Sequence, residues 1–225
     1  MKQAPKKEEP VDYQIGFIPF FHTKIDLSER PLIPRPETEY WTEQFVIELK
    51  TKVANKALQI ADVFAGSGCI GIAILKNTKN TKVDFFEIDK TFVNQIKKNL
   101  KINKIPTYRY KVIQSNILNK AKTKYDYILG NPPYLDPRNT KRIQKSVLNY
   151  EPEKALFGGK GGLEIIKKFV KETKKYLKPG GELWFEFDSP QKKEIKNILK
   201  KEGYKSIKIL KDQYNRSRYA SAVVF

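Results

Sequence analysis

Leu58-Gln-Ile-Ala-Asp-Val63 runs into Phe64-Ala-Gly-Ser-Gly68 and then into Cys69-Ile-Gly-Ile-Ala-Ile-Leu75. An apolar run of strand length meets a glycine turn and then a second, helix-like apolar run. Strand, glycine turn and helix form the nucleotide-binding opening of a Rossmann-like fold. Gly66 and Gly68 permit positive φ and let a ligand come close to the backbone. The turn is not the G-x-G-x-x-G fingerprint that cradles a pyrophosphate. Preceded by Asp62, it suits the amino-acid end of S-adenosylmethionine better. An ordinary βα turn reads the same way in isolation, so the assignment depends on what lies in register with it.

The next strand supplies an acid. In Val83-Asp-Phe-Phe-Glu-Ile-Asp89, Glu87 lies about twenty residues past the glycines, where a carboxylate accepts both ribose hydroxyls of a nucleoside. Glu87 is the preferred ribose ligand, and Asp89 the N-cap of a helix over Lys90–Ile102.

A second motif speaks to the chemistry. Tyr125-Asp-Tyr-Ile-Leu-Gly130 reads as a strand and is followed by Asn131-Pro132-Pro133-Tyr134. The Asn side-chain oxygen and the first proline's carbonyl each accept one hydrogen of an NH2 group. The prolines fix φ and add no competing donor. Tyr134 offers a flat ring for a conjugated amide or base. Asn131, Pro132 and Tyr134 are therefore the candidate catalytic residues, and with Pro133 they form the candidate substrate slot for a planar nitrogen. An Asn-Pro turn that merely closes a strand is the structural alternative.

Around these motifs the chain alternates. Strands are predicted near 57–64, 82–87, 107–114, 125–130 and 181–187, and helices near 69–77, 90–102, 163–177 and 189–202. Lys205–Leu210 and Tyr219–Phe225 follow with only a polar turn between them. The expected fold is α/β: a Rossmann-like, class I S-adenosylmethionine-dependent methyltransferase. Its mostly parallel seven-stranded sheet would be closed by an antiparallel C-terminal hairpin. Ahead of it, residues 1–12 read as a disordered tail and 13–33 as a β-hairpin extension, with strands over Tyr13–Phe21 and Thr23–Leu27. The methyltransferase domain is expected over 34–225, opening on a helix that Thr38 caps and that carries Trp41, Phe45, Leu49 and Val53 on one face. Leu135–Gly162 reads as long, helix-poor and functional.

Composition narrows the class. With 225 residues the chain can bury a full core, and its one cysteine, Cys69, excludes an intramolecular disulfide. His22 is the only histidine, so a histidine triad or a Cys/His zinc site has no support, and no metal is expected. No run reaches membrane-spanning length. The net charge of +19 is almost all lysine, since only 7 of 44 basic residues are arginine. It reads either as a surface for RNA or another acidic partner, or as lysine-rich solvated helix faces.

With these residues in view, the chain resembles the N5-glutamine methyltransferases that modify peptide-chain release factors. Tyr13-x-x-Gly16 with Phe20, Leu32-Ile-Pro-Arg-Pro-Glu-Thr-Glu39, Tyr150-Glu-Pro-Glu-Lys-Ala-Leu-Phe-Gly-Gly159 and Asp212 with Arg218 are similar to that family's segments. Asn-Pro-Pro-Tyr alone is shared with nucleic-acid amino-methyltransferases. The resemblance implies that S-adenosylmethionine lies along Phe64, Ala65, Gly66, Ser67 and Gly68, with its ribose on Glu87 and with Asn116 and Ile117 beside the adenine. It implies that Asn131, also beside the cofactor, and Pro132 hold a glutamine carboxamide, with Pro133 and Tyr134 shaping the slot. Asn116 departs from the usual aspartate and Ala65 from the usual threonine. Arg35 and Glu37–Glu39 read either as cofactor supports or as a helix start.

The implied substrate is the glutamine of the Gly-Gly-Gln tip of a class 1 release factor. The alternative is RNA or DNA amino-methylation, at adenine N6 or guanine N2. An RNA or ribosome contact through the basic surface, no membrane partner and a monomeric state are expected. The compartment is read as cytoplasmic, with mitochondrial as the alternative. The family's N-terminal helical domain is not seen ahead of the hairpin, which leaves recognition to the catalytic domain or to a partner.

Overall fold

The computed structural model describes residues 9–52 and 57–225. Residues 1–8 of the expected tail, and Val53 of the first domain helix, lie outside them. The described chain opens with α1 (Val11–Ile15), β1 (Phe17–Phe20) and β2 (Thr23–Asp26), the two strands pairing antiparallel. The hairpin therefore starts later than the sequence suggests, because Tyr13–Ile15 form a helical turn. Gly16 ends that turn in the left-handed region, and the buried Tyr13 donates its hydroxyl to the Pro31 carbonyl at 2.7 Å. The pattern Tyr13-x-x-Gly16 thus records an anchor and a helix C-cap instead of a strand.

α2 (Pro36–Lys52) begins before Thr38. Pro36 fits its first position, where the missing N–H has no partner to lose. Thr38 is consequently not the cap: it lies inside the first turn with its side chain buried. Then follow β3 (Leu58–Val63), α3 (Cys69–Asn77), β4 (Thr81–Glu87), α4 (Lys90–Ile102), β5 (Tyr110–Gln114) and β6 (Tyr125–Gly130). β5 starts past the expected 107 because Thr107–Arg109 is a 3₁₀ turn. It aims the Arg109 guanidinium at the carbonyls of Leu75, Thr78 and Thr81, capping the end of α3. The segment after β6 is not helix-poor: it carries α5 (Lys145–Tyr150) and α6 (Glu153–Leu156) between two 3₁₀ turns. Helices of 6 and 4 residues are too short to print a helical period in the sequence. α7 (Glu164–Tyr176), β7 (Leu177–Glu186), α8 (Lys192–Lys201), β8 (Lys205–Lys211) and β9 (Ser217–Val223) complete the chain.

The main sheet has seven strands in the order β5-β4-β3-β6-β7-β9-β8. β5 through β7 run parallel, and β9 is antiparallel to both β7 and β8, so the closing hairpin inserts its second strand next to the parallel set. Alternate residues of the central strands feed two cores. On one side Ile60, Phe85, Leu129 and Trp184 pack with the hairpin, α2, α3 and α4; on the other Val63, Phe86, Ile128 and Phe185 pack with α7 and α8. Burial on both faces explains why these strands read as unbroken apolar runs. Phe45 meets the rings of Tyr127 and Trp184 edge-on, each at 5.3 Å, which ties α2 to the sheet centre. Each such fully buried side chain contributes about 1.5–3 kcal/mol.

The chain travels outward from β3 to β4 and β5, then returns to the other flank of β3 as β6. The loops leaving β3 and β6 therefore part. At such a reversal of strand order a crevice opens beyond the carboxyl ends of the strands.

Candidate active site

A cavity of about 620 Å³ fills that crevice, within the range of small-ligand sites. Four of the five parallel strands, all but β7, contribute at or just past their carboxyl ends. From β3 come Phe64, Ala65, Gly66 and Ser67; from β4, Glu87; from β5, Asn116 and Ile117; from β6, Asn131 and Pro133. Of the residues expected at the site, Gly68, Pro132 and Tyr134 do not line this cavity. Gly68 is the N-cap of α3 at φ 82°, and a Cβ there would press on Ile72 and Ile96. Pro132 is buried at the bend, and Tyr134 turns to a neighbouring hollow of about 360 Å³ that Asp188, Gln191 and Arg218 also line.

The β3 wall is built largely from backbone. Gly66 stands at φ 54° and donates its N–H to Glu87 at 2.8 Å, and the Asp89 N–H donates to the other oxygen of Glu87 at 2.9 Å. Two N–H groups thus orient a carboxylate whose remaining lone pairs are available to ligand hydroxyls. Burial pushes the Glu87 carboxyl above the usual carboxylate range, against the pull of these N–H donors. Asp89 itself caps α4 by accepting from the Thr91 N–H. Asp62 is not at the ligand face: fully buried, it takes the Gly71 N–H at 2.9 Å and so braces α3 from behind. Phe64 holds a positive φ of 59° without being glycine, its ring packed edge-on against Phe169 at 5.1 Å. Phe86, Ile88, Phe92 and Ile117 give this end an apolar lining fit for a planar base, and Glu87 and Asp89 give it acids. That donor set fits an adenosine with its ribose on Glu87.

The β6 wall is built from side chains remote in sequence. The Asn131 amide NH2 donates to Thr38 Oγ at 3.3 Å, and Thr38 donates in turn to Glu186 at 2.6 Å. Glu186, at the end of β7, also accepts from Trp41 Nε1 and from the Tyr134 hydroxyl, each at 2.9 Å. Burial raises the Glu186 carboxyl, while Thr38, Trp41, Tyr134 and Arg218 favour its charged form. Burial and the adjoining Glu186 keep the Tyr134 phenol protonated.

The segment after the turn presses on it from outside. A Cβ at Gly158 would stand 2.3 Å from the Pro133 carbonyl oxygen, and one at Gly162 1.8 Å from that of Tyr134. Gln191 donates to the carbonyls of both Tyr134 and Gly161. Arg35 pairs with the buried Glu151 at 2.6 Å, which joins the approach to α2 to the same segment. Glu39 holds the hairpin turn through the Phe21 N–H. Arg35 lines the cavity, whereas Glu37 and Glu39 do not. Sequence reasoning missed Thr38, Trp41 and Glu186 as a unit. The available signal was an acid inside the apolar run Leu183-Trp-Phe-Glu-Phe187.

Comparison with known proteins agrees with this fold. A family model described as the methyltransferase small domain matches residues 41–159. A release factor glutamine methyltransferase of Thermodesulfovibrio yellowstonii is 36% identical over 209 residues, covering 92% of this chain and 73% of that protein. The chain belongs to the release factor glutamine methyltransferase family. A second member, from Clostridium botulinum, is 33% identical over 220 residues, covering 96% of this chain and 76% of its own. Among solved structures, the magnesium protoporphyrin IX methyltransferase of Synechocystis, with bound SAM, shares the fold at TM-score 0.55 and 15% identity. That alignment covers 82% of this chain and 78% of the other.

Proposed function

We propose that this protein transfers a methyl group from S-adenosylmethionine to the side-chain amide nitrogen of glutamine in the Gly-Gly-Gln tip of a class 1 release factor. Family membership carries the activity, and the chain is an S-adenosylmethionine-dependent protein-glutamine N-methyltransferase. The observation that carries the residue assignment is that Glu87 and Asn131 line one cavity from opposite flanks of β3. In this reading Phe64–Ser67 and Glu87 hold the cofactor's amino-acid and ribose parts, while Asn116 and Ile117 flank its adenine. Gly68 serves by shaping the turn. When bound there, the cofactor supplies an electrophilic sulfonium methyl.

An amide nitrogen is a poor nucleophile because its lone pair is delocalised into the carbonyl. Asn131 Oδ1 and the Pro132 carbonyl accept the two hydrogens of the substrate NH2 and turn the nitrogen toward the methyl. Pro133 and Tyr134 shape the slot beside it. No side chain acts as a strong base; positioning and fixed dipoles would lower the barrier. The N–C bond forms as the sulfonium S–C bond breaks to a neutral thioether, and the surplus amide proton is then lost to water. Glycines beside the substrate glutamine let a narrow slot admit the backbone.

Residues 34–225 act as the methyltransferase unit, with 13–33 as an extension clamped onto it. Lysines of α7 and α8 such as Lys167, Lys171, Lys196 and Lys200 form no ion pair among the described residues, which supports an RNA or ribosome contact on that side. Among the described residues no helix is long and apolar enough to cross a membrane. The bacterial relatives support a cytoplasmic setting, and a monomer is the proposed state. Labelled-methyl transfer tests the substrate: label should enter an intact release factor and be lost when its Gly-Gly-Gln glutamine becomes alanine. Label on ribosomal RNA alone would overturn the proposal.

A further inference from the structure

A carboxamide is nearly symmetric in shape and opposite in chemistry at its two ends. If Asn131 presented its NH2 to a substrate NH2, the two donors would repel; only Oδ1 outward is productive. Proline neighbours hold the backbone but say nothing about this side-chain flip. Hydrogen-bond logic around Glu186 decides it.

Glu186 is 1% exposed, and three donors converge on it. The Trp41 indole nitrogen can only donate, so the Glu186 oxygen it shares with Thr38 must accept. The other oxygen accepts from Tyr134. Burial raises the Glu186 carboxyl, but the three donors that converge on it and the Arg218 guanidinium all favour the charged form, which accepts all three bonds. Thr38 has one hydroxyl hydrogen, and the 2.6 Å bond to Glu186 uses it. Toward Asn131, 3.3 Å away, Thr38 can therefore only accept, so it meets the NH2 end. Asn131 Oδ1 is left without a hydrogen bond to any described residue, ready for an incoming donor.

We infer that Thr38, directed by Glu186 and Trp41, is a positioning residue that fixes which end of the Asn131 carboxamide faces the substrate. This inference rests on the substrate reading given above. The same carboxylate holds the Tyr134 hydroxyl, so both flanks of Asn-Pro-Pro-Tyr are pinned to one ion. The device lies on α2 and β7, outside the motif it controls.

The test uses the full chain with S-adenosylmethionine and an intact release factor. Thr38→Val nearly keeps the volume but removes both the acceptor for Asn131 and the donor to Glu186. The kcat should therefore fall about 10- to 100-fold, with the cofactor KM held and the melting temperature lowered by only a few degrees. Thr38→Ser restores the hydroxyl and should recover most of kcat. In an Asn131→Ala background, adding Thr38→Val should cost little more, because the group it orients is gone. Wild-type turnover in Thr38→Val, failure of the serine variant to rescue, or full additivity with Asn131→Ala would each overturn the inference. So would a fall of kcat, cofactor affinity and melting temperature together, which marks a structural role. If Asn131→Ala itself transfers normally, the substrate reading fails first, and the two failures are thereby told apart.

Discussion

The two walls of the cavity are made in opposite ways. On the β3 side, a ligand-facing surface comes from one short loop and an acid 21 residues further on, joined by the Gly66–Glu87 bond. On the β6 side, Asn131 is held by Thr38, 93 residues away, and Thr38 by Glu186, 148 residues from it. The first wall presents backbone and one buried charge to a ligand that must merely be held. The second must hold a carboxamide in one of two near-isosteric orientations, which backbone alone does not do. On the proposed assignment, binding is encoded locally and orientation by tertiary structure.

Breaking the second wall without touching the first should have the largest effect. Gly162 stands at φ 68°, and a Cβ there would fall 1.8 Å from the Tyr134 carbonyl oxygen. Gly162→Ala adds backbone strain to a clash that displaces the Asn-Pro-Pro-Tyr turn, destabilising the fold by about 2–5 kcal/mol. Thermal melting should drop by roughly 5–15 °C, with methyl transfer nearly lost. Gly180→Ala shares the positive φ but meets nothing within 4 Å, so it should cost only about 1–2 kcal/mol. Equal losses in the two variants would show that the Gly162 contact with the turn does not matter.

A smaller effect sharpens the description of the first wall. Burial pushes the Asp62 carboxyl from 3.8 up to about 8, with the Gly71 N–H pulling against it and Glu87 adding to the rise. Folding therefore retains a proton that the unfolded chain releases between these values. The stability this gives is fully present below about pH 4 and is lost as pH rises toward 8, at up to about 1.4 kcal/mol per pH unit. Asp62→Asn keeps an acceptor for Gly71 and removes the titration. Melting followed from pH 5.5 to 8 should decline less steeply in the variant; parallel curves would place the charge of Asp62 outside the stability balance.

The same division explains what was legible in the sequence. Leu58–Leu75 carried the Rossmann-like opening because strand, turn and helix are consecutive. Glu87 and Asp89 fell in register with it, and Asp89 does cap α4. The parallel sheet and its antiparallel ending followed from alternation and from two strands joined without a helix. The misplaced features are ones where tertiary contact overrides local signal. Tyr13 looked like strand but is an anchored helical turn, and Thr38 looked like a cap but belongs to a buried network. The 135–162 segment hid two helices shorter than any period. Tyr134, expected to offer its ring to a planar amide or base, stands outside the main cavity: its hydroxyl is drawn to Glu186 and its ring lines the adjoining hollow. Residues that meet only across the sheet leave no spacing to read.

The separation of the walls can be measured on one pair of variants. Calorimetric titration with S-adenosylmethionine and labelled transfer to a release factor would be run on Asn131→Ala and on Glu87→Ala. Asn131→Ala should bind the cofactor nearly as the wild type does and lose at least about 100-fold in turnover. Glu87→Ala should weaken cofactor binding about 10- to 100-fold, through the loss of hydrogen bonds to a charged acceptor. If Asn131→Ala turned over normally, or if Glu87→Ala bound as tightly as the wild type, the two walls would not have the roles assigned to them.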